Sequence, residues 1–178
     1  MQLKEPQNLV TSIVVSLPLM ALNTLLAIAV FGLFRPMVLS DLGISQEGFQ
    51  ITINLQIIAG LIVLLLVHEL LHLIFVPHFA SSEKTCVGMT LMGGYVYSEE
   101  EIPKWRYLLI TIMPFVVISL IVPPILGILS LLSPLVLILI IINSMASSVD
   151  ILTFITIVTQ VPNGSYLTSN GLRTYWKK

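Results

Sequence analysis

Four long apolar stretches constrain the fold of this chain more than any other feature. They cover about residues 9–34, 51–76, 105–132 and 135–161. Each is longer than the roughly 20 residues that a helix needs to cross a hydrocarbon layer about 30 Å thick. Only 10% of the 178 residues are charged, whereas a soluble domain usually carries about 25%. The sequence therefore predicts an all-α membrane protein with four transmembrane helices, organised as a single integral membrane domain over residues 1–178.

The predicted spans differ in their local features. The first is expected to be a retained helix, because its apolar run is longer than that of a secretory signal peptide. Pro114 and Pro123-Pro124 interrupt the third span, which predicts a kinked helix. Between the second and third spans, Thr85–Tyr97 combines β-forming residues with three glycines. This composition predicts a short β-hairpin-like segment between helices 2 and 3, at the membrane surface.

Charged residues indicate an orientation and exclude one class of partner. Four spans place both termini and the loop between the second and third helices on one side. That side holds seven of the eight Lys and Arg residues, and the other holds only Arg35. The positive-inside rule therefore predicts cytoplasmic N and C termini. A formal net charge of −1 argues against nucleic acid as a partner.

The residues from His68 to His72 match the pattern H-E-x-x-H. On a helix, residues four apart lie on one face, about 6 Å apart along the axis. Two imidazoles at that spacing can ligate one Zn²⁺, and Glu69 beside them can accept a proton from water at the metal. Because ionisable groups are costly inside an apolar span, we predict His68 and His72 as metal ligands and Glu69 as the catalytic base. The alternative is a hydrogen-bonded packing cluster without metal.

Asp150 is the predicted third ligand, since a catalytic zinc usually has three protein ligands and one open position. His68 lies 17 residues into the second span and Asp150 lies 15 residues into the fourth, and both spans start on the outer side. At about 1.5 Å per residue, both reach roughly 23–26 Å from that side. We therefore predict an active site towards the cytoplasmic side. The alternative is that Asp150 orients a ligating histidine.

Three further residues, His78, Asn143 and Cys86, need separate interpretation. His78 follows His68 by ten positions, as in an extended zinc-binding pattern, but Phe75 stands where that pattern needs glycine. A continuing helix would place it about 9 Å from His72, too far to share a metal. Asn143 lies two helical turns before Asp150 and is predicted either to hold substrate or an oxyanion or to join two helices. The single cysteine, Cys86, is expected to be a small buried or interfacial residue.

On these motifs the chain resembles the small bacterial membrane proteins called putative zincin peptidases. The matching features are the motif at His68–His72, a Gly-containing segment after it, Pro114, and the Asn143–Asp150 segment. These proteins look distantly similar to the site-2 intramembrane metalloproteases, although this chain lacks their Asn-Pro-Asp-Gly type of sequence. The resemblance implies Zn²⁺ held by His68, His72 and Asp150, Glu69 as base, and a bacterial cell membrane.

Two functions are compatible with these predictions. The first is a zinc metallopeptidase that cleaves membrane or membrane-proximal protein substrates. The second is a non-catalytic zinc-binding membrane scaffold or transporter subunit, and a transporter should offer a polar path across the whole span. The outer half of the second span is nearly all apolar, which favours the peptidase.

Overall fold

The computed structural model of the chain describes residues 1–6, 8–45, 48–49, 54–80, 82–90, 93–170 and 173–178. Within them, four helical spans are long and apolar enough to cross a membrane: Leu9–Gly32, Leu55–Phe75, Lys104–Ile128 and Pro134–Gln160. The four predicted apolar helices are therefore confirmed, with ends that differ from the predicted ones by at most four residues. Residues 51–53, at the predicted start of the second span, lie outside the described residues. The organisation as a single domain remains a prediction.

Six α-helices build these spans in the described part of the chain, and in chain order they are α1 (Leu9–Gly32), α2 (Leu55–Phe75), α3 (Lys104–Pro114), α4 (Val122–Ile128), α5 (Pro134–Ala146) and α6 (Ser148–Gln160). A π-helical segment, Phe115–Ile121, joins α3 to α4. The predicted irregularity of the third span is therefore a wider helical turn that starts directly after Pro114. Ser147 alone separates α5 from α6, so the fourth span remains close to one continuous rod.

Side-chain caps define where three of the helices begin. The Asn8 side chain accepts a hydrogen bond from the backbone N–H of Thr11. Asn54 does the same for α2 and Ser133 for α5. Such caps satisfy backbone donors that a helix leaves free at its first turn. The polar residue just before each of these apolar runs therefore defines the start of a span.

The remaining regular structure consists of short antiparallel strands, which in chain order are β1 (Ile44–Ser45), β2 (Gly48–Phe49), β3 (Thr85–Thr90), β4 (Gly93–Ser98), β5 (Ile102–Pro103), β6 (Tyr166–Ser169) and β7 (Thr174–Lys177). The predicted hairpin is confirmed as β3 and β4, which pair from Thr85 opposite Ser98 to Thr90 opposite Gly93. Its turn, at residues 91–92, lies outside the described residues. Strands β5, β6 and β7 form a three-stranded sheet.

The three-stranded sheet corrects the predicted all-α fold class to a mostly helical one with small antiparallel sheets. It forms because Tyr166–Ser169 and Thr174–Lys177 leave the apolar span and contain β-forming residues. An isolated antiparallel β-bridge between Gln2 and Tyr175 joins the sheet to the N-terminal segment. Leu3, Ile157, Val161 and Leu167 form a buried cluster beneath it. The N-terminal segment, the start of α3 and the C-terminal strands thus lie at one end of the bundle.

Arg106 links that end of the bundle to the helix that carries the histidine motif. Its Nε donates a hydrogen bond to the backbone carbonyl of Phe75, at 2.7 Å. Phe75 is the last residue of α2, where carbonyl groups have no helical partner. The positive guanidinium also interacts favourably with the negative end of the helix dipole. Arg106 therefore anchors the end of α2 that lies nearest to His72.

We expect Arg106→Gln to lower the free energy of unfolding by about 1–2 kcal/mol, because a hydrogen bond from a charged group and a helix-end interaction are lost. Thermal unfolding in detergent micelles measures the change. Lys178→Gln removes the same charge from an exposed position and serves as the control. Equal unfolding temperatures for the two variants would contradict the anchoring role.

Arg35 and Asp41 stabilise the connection between α1 and α2 at the opposite end. Asp41 accepts hydrogen bonds from the Val38 backbone N–H at 3.0 Å and from Arg35 Nη2 at 2.7 Å. The Val38 N–H and then the Arg35 guanidinium hold the pKa of Asp41 below its usual value, and they outweigh its burial. The only basic residue predicted on this side is therefore paired within the loop.

This pairing predicts a stability that depends on pH. Because the pKa of Asp41 is lower in the folded state, its stabilisation is present above about pH 4 and is lost as pH falls through the folded pKa. Asp41→Asn should therefore lower the unfolding temperature at pH 7, and the difference from the wild type should shrink towards pH 3. An unchanged difference across this range would contradict the role of Asp41, and Glu83→Gln is the control.

Candidate metal centre

His68 and His72 lie side by side on α2, as their spacing predicted. Their ring centroids are 5.0 Å apart, and the planes are nearly perpendicular, at 75°. Each side chain is 12% exposed. One helical turn is therefore sufficient to bring both imidazoles to the same small volume inside the bundle.

Asp150 reaches the same volume from α6. It lies in the first turn of that helix, directly after the interruption at Ser147. Its Oδ2 is 3.4 Å from Nε2 of His68, and its Oδ1 is 3.7 Å from Nε2 of His72. One ligand atom from each of the three residues lies within 4.8 Å of the other two. The structure therefore brings together the three side chains predicted as metal ligands.

The donor set and its spacing fit a zinc ion. Two imidazole nitrogens and one carboxylate oxygen leave a fourth position open, which is the usual arrangement of a catalytic zinc site. Bonds of about 2.0–2.2 Å in tetrahedral geometry place neighbouring ligand atoms about 3.3–3.6 Å apart. The distances of 3.4 and 3.7 Å between histidine and aspartate are close to that range and exceed the usual length of a hydrogen bond, about 2.7–3.2 Å.

On each imidazole ring, Nδ1 is hydrogen-bonded to an acceptor on another helix. His72 Nδ1 donates to the backbone carbonyl of Ile110 at 2.6 Å. His68 Nδ1 donates to Oδ1 of Asn143 at 2.9 Å. In a neutral imidazole, a proton on Nδ1 leaves a lone pair on Nε2. Both Nε2 atoms, which face Asp150, are therefore available for a metal ion.

Glu69 follows His68 directly in α2 and is half-buried. This position places a carboxylate beside the imidazole pair and leaves the ligand positions to the two histidines. Its assignment as the base remains a prediction.

The contacts of Asn143 favour a positioning role over the predicted contact with substrate. Its side chain is almost fully buried, with 1% exposed. Its Nδ2 donates to the Pro114 carbonyl at 3.2 Å and to Ser119 Oγ at 3.0 Å, while its Oδ1 accepts from His68. The alternative prediction, that Asn143 joins two helices, agrees with these contacts.

The other two candidates lie away from the cluster. His78 lies beyond the end of α2, has a φ of 53°, and is exposed. It does not belong to the group of neighbouring ligand atoms found among the described residues. Cys86 is exposed on β3, which excludes the buried position; the interfacial position remains a prediction.

Sequence reasoning missed the acceptor of His72 and the hydroxyl that supports Asn143. The Ile110 carbonyl is a backbone group, and a pattern of residue types does not predict which backbone carbonyl a histidine will contact. Ser119 lies in the π-helical segment, and its hydroxyl contacts both Asn143 and Ser144. The available signal was Pro114, whose missing N–H frees the carbonyl four residues before it.

We expect the wild-type protein to bind one zinc ion per chain and His72→Ala to lose it, because two ligands from different helices hold zinc poorly. Metal analysis of the protein purified in detergent measures the content. His78→Ala removes the histidine outside the cluster and should keep the wild-type zinc content. Equal zinc in the wild type and in His72→Ala would contradict the assignment of this cluster.

Comparison with known proteins gives one match. Residues 61–166 match the family described as Putative zincin peptidase, and this range contains the three candidate ligands. No curated protein and no solved structure matches the chain. The match covers more than half of the chain, so the chain belongs to the Putative zincin peptidase family.

Proposed function

We propose that this protein is a membrane-embedded zinc metallopeptidase that hydrolyses peptide bonds of membrane or membrane-proximal proteins. The observation that carries the proposal is the convergence of His68, His72 and Asp150 from two apolar helices. Membership of a zincin peptidase family supports the same chemistry. The more specific likeness to site-2 proteases remains a prediction.

In the proposed hydrolysis, Glu69 transfers the proton, and Ile110 and Asn143 orient the ligating histidines. When bound, zinc supplies a Lewis acid that lowers the pKa of water and polarises a carbonyl group. The Glu69 carboxylate takes the proton from the attacking water and then gives it to the leaving amine. Ile110 and Asn143 keep the two imidazoles in the orientation in which Nε2 faces inward.

The β3–β4 hairpin offers a means of holding a substrate in extended form. A helical substrate hides its carbonyls in hydrogen bonds, so cleavage requires the chain to be unwound first. The hairpin is a two-stranded sheet, and β4 contacts α2, the helix of the histidine motif. Addition of a substrate strand to this sheet would present an extended backbone near the site.

The proposed site lies nearer to the basic end of the bundle. His72 lies three residues before the end of α2, and Asp150 lies ten residues before the end of α6. At about 1.5 Å per residue, these positions are roughly 5 and 15 Å inside that end. The same end carries the sheet and seven of the eight Lys and Arg residues. The positive-inside rule then supports cytoplasmic termini and a site towards the cytoplasm of a bacterial cell.

Replacement of Glu69 by Gln tests the proposal most directly. The variant should keep its zinc, because Glu69 is not a ligand, and its kcat should fall by about 10²–10⁴-fold with the loss of the general base. The protein reconstituted in nanodiscs is incubated with unfolded casein and with a peptide library, and mass spectrometry detects new termini. Glu99→Gln, which removes an exposed carboxylate on the hairpin side, should cleave like the wild type.

Two outcomes would contradict the peptidase assignment. Undiminished cleavage by Glu69→Gln would remove Glu69 from the mechanism. Zinc flux into liposomes that survives Asp150→Ala, together with no cleavage of any substrate by the wild type, would instead favour the zinc-binding scaffold or transporter.

A further inference from the structure

The carbonyl of Ile110 is available to His72 because of Pro114. In an α-helix, the carbonyl of a residue accepts a hydrogen bond from the N–H four positions later. For Ile110 that position is Pro114, which has no N–H. The next N–H, that of Phe115, donates to the Ile112 carbonyl. The Ile110 carbonyl therefore lacks its α-helical donor, and it accepts a hydrogen bond from His72 Nδ1 at 2.6 Å.

The carbonyl of Pro114 itself determines the orientation of the second acceptor. It accepts a hydrogen bond from Asn143 Nδ2 at 3.2 Å. A carbonyl can only accept, so the NH₂ group of this amide must face Pro114. The opposite atom, Oδ1, then faces His68, and Nδ1 of that ring has to be the donor. Because Asn143 is buried, solvent does not compete for these bonds.

Both imidazoles are thus fixed in the same tautomer from one position in the third span. Each Nδ1 carries a proton because its partner is an acceptor, and each Nε2 keeps the lone pair that a metal ion needs. The missing N–H of Pro114 leaves the Ile110 carbonyl to accept a hydrogen bond from His72. The carbonyl of Pro114 orients the Asn143 amide, whose oxygen accepts a hydrogen bond from His68.

We propose that Pro114 is a positioning residue of the metal centre, which sets the orientation and tautomer of both ligating histidines by its missing N–H and its own carbonyl. The inference rests on the proposed function only in requiring a zinc site, and it does not require peptide cleavage. The helix around Pro114 supports it, since the following segment is π-helical and the Val122 N–H donates to Val117, five residues back. An N–H at position 114 would favour continuous α-helical bonding and compete for the Ile110 carbonyl.

Pro114→Ala restores that N–H and tests the inference. We expect the affinity for Zn²⁺, measured by competition with a chelator in detergent, to fall by about 10–100-fold, as is usual when the partner of a ligating histidine is disturbed. In the metal-free protein, well above the usual imidazole pKa of about 6.5, ¹⁵N NMR should show His72 as a mixture of tautomers. The wild type should show a proton on Nδ1 of both rings.

Two further variants separate the missing N–H from other effects of proline. Pro18→Ala makes the same chemical change at an exposed position of α1, which contributes no ligand or histidine partner, and should leave the affinity and both tautomers unchanged. An ester at position 114, with lactic acid in place of the proline, removes the ring but adds no N–H. This variant should bind zinc like the wild type.

The outcomes are distinct from those of the peptidase test. Wild-type zinc affinity and unchanged tautomers in Pro114→Ala would overturn the inference. If that variant does not fold, the ester variant decides, because weak zinc binding by a folded ester protein would equally overturn it. Zinc binding with the expected tautomers but without any proteolysis would overturn the proposed peptidase and leave the role of Pro114 standing.

Discussion

A polar group inside an apolar helix bundle has to find its partners within the protein, because lipid offers none. His68, Asn143, Ser119 and Ser144 obey this constraint as a connected network. The imidazoles are bonded from behind, and the Asn143 amide uses both its oxygen and its nitrogen. Ser144 and Ser119 complete the network between the third and fourth spans. The carboxylate and the two Nε2 atoms are left facing one another, in an arrangement that could hold a metal ion.

Much of this arrangement could be predicted from the sequence, because the number of residues from the start of a transmembrane helix determines how deep a side chain lies in the membrane. Apolar run length gave the four spans to within four residues. The rise of a helix gave the common depth of His68 and Asp150. That estimate held because α5 and α6 follow one another across a single residue, Ser147. A larger break in the fourth span would have moved the carboxylate without changing the sequence spacing.

The rest depended on pairings that local patterns do not contain. Ile102 pairs with Leu167, which lies 65 positions later in the chain, and no short-range signal marks such a contact. Asn170-Gly171 between two β-forming runs is a hairpin signal that could have indicated β6 and β7. The role of Asn143 was ambiguous because a helical face can be assigned from spacing, whereas the partner that a side chain meets on that face cannot.

The partner of His72 is a main-chain oxygen, and this has a consequence for how the site tolerates variation. Shortening the Ile110 side chain leaves that oxygen in place, so systematic truncation of residues around the imidazoles would pass over one of their closest neighbours. The requirement for an available carbonyl at Ile110 depends instead on the proline at position 114, one helical turn further along. Side-chain substitutions at a position that contributes only a main-chain atom therefore do not reveal its part in the site.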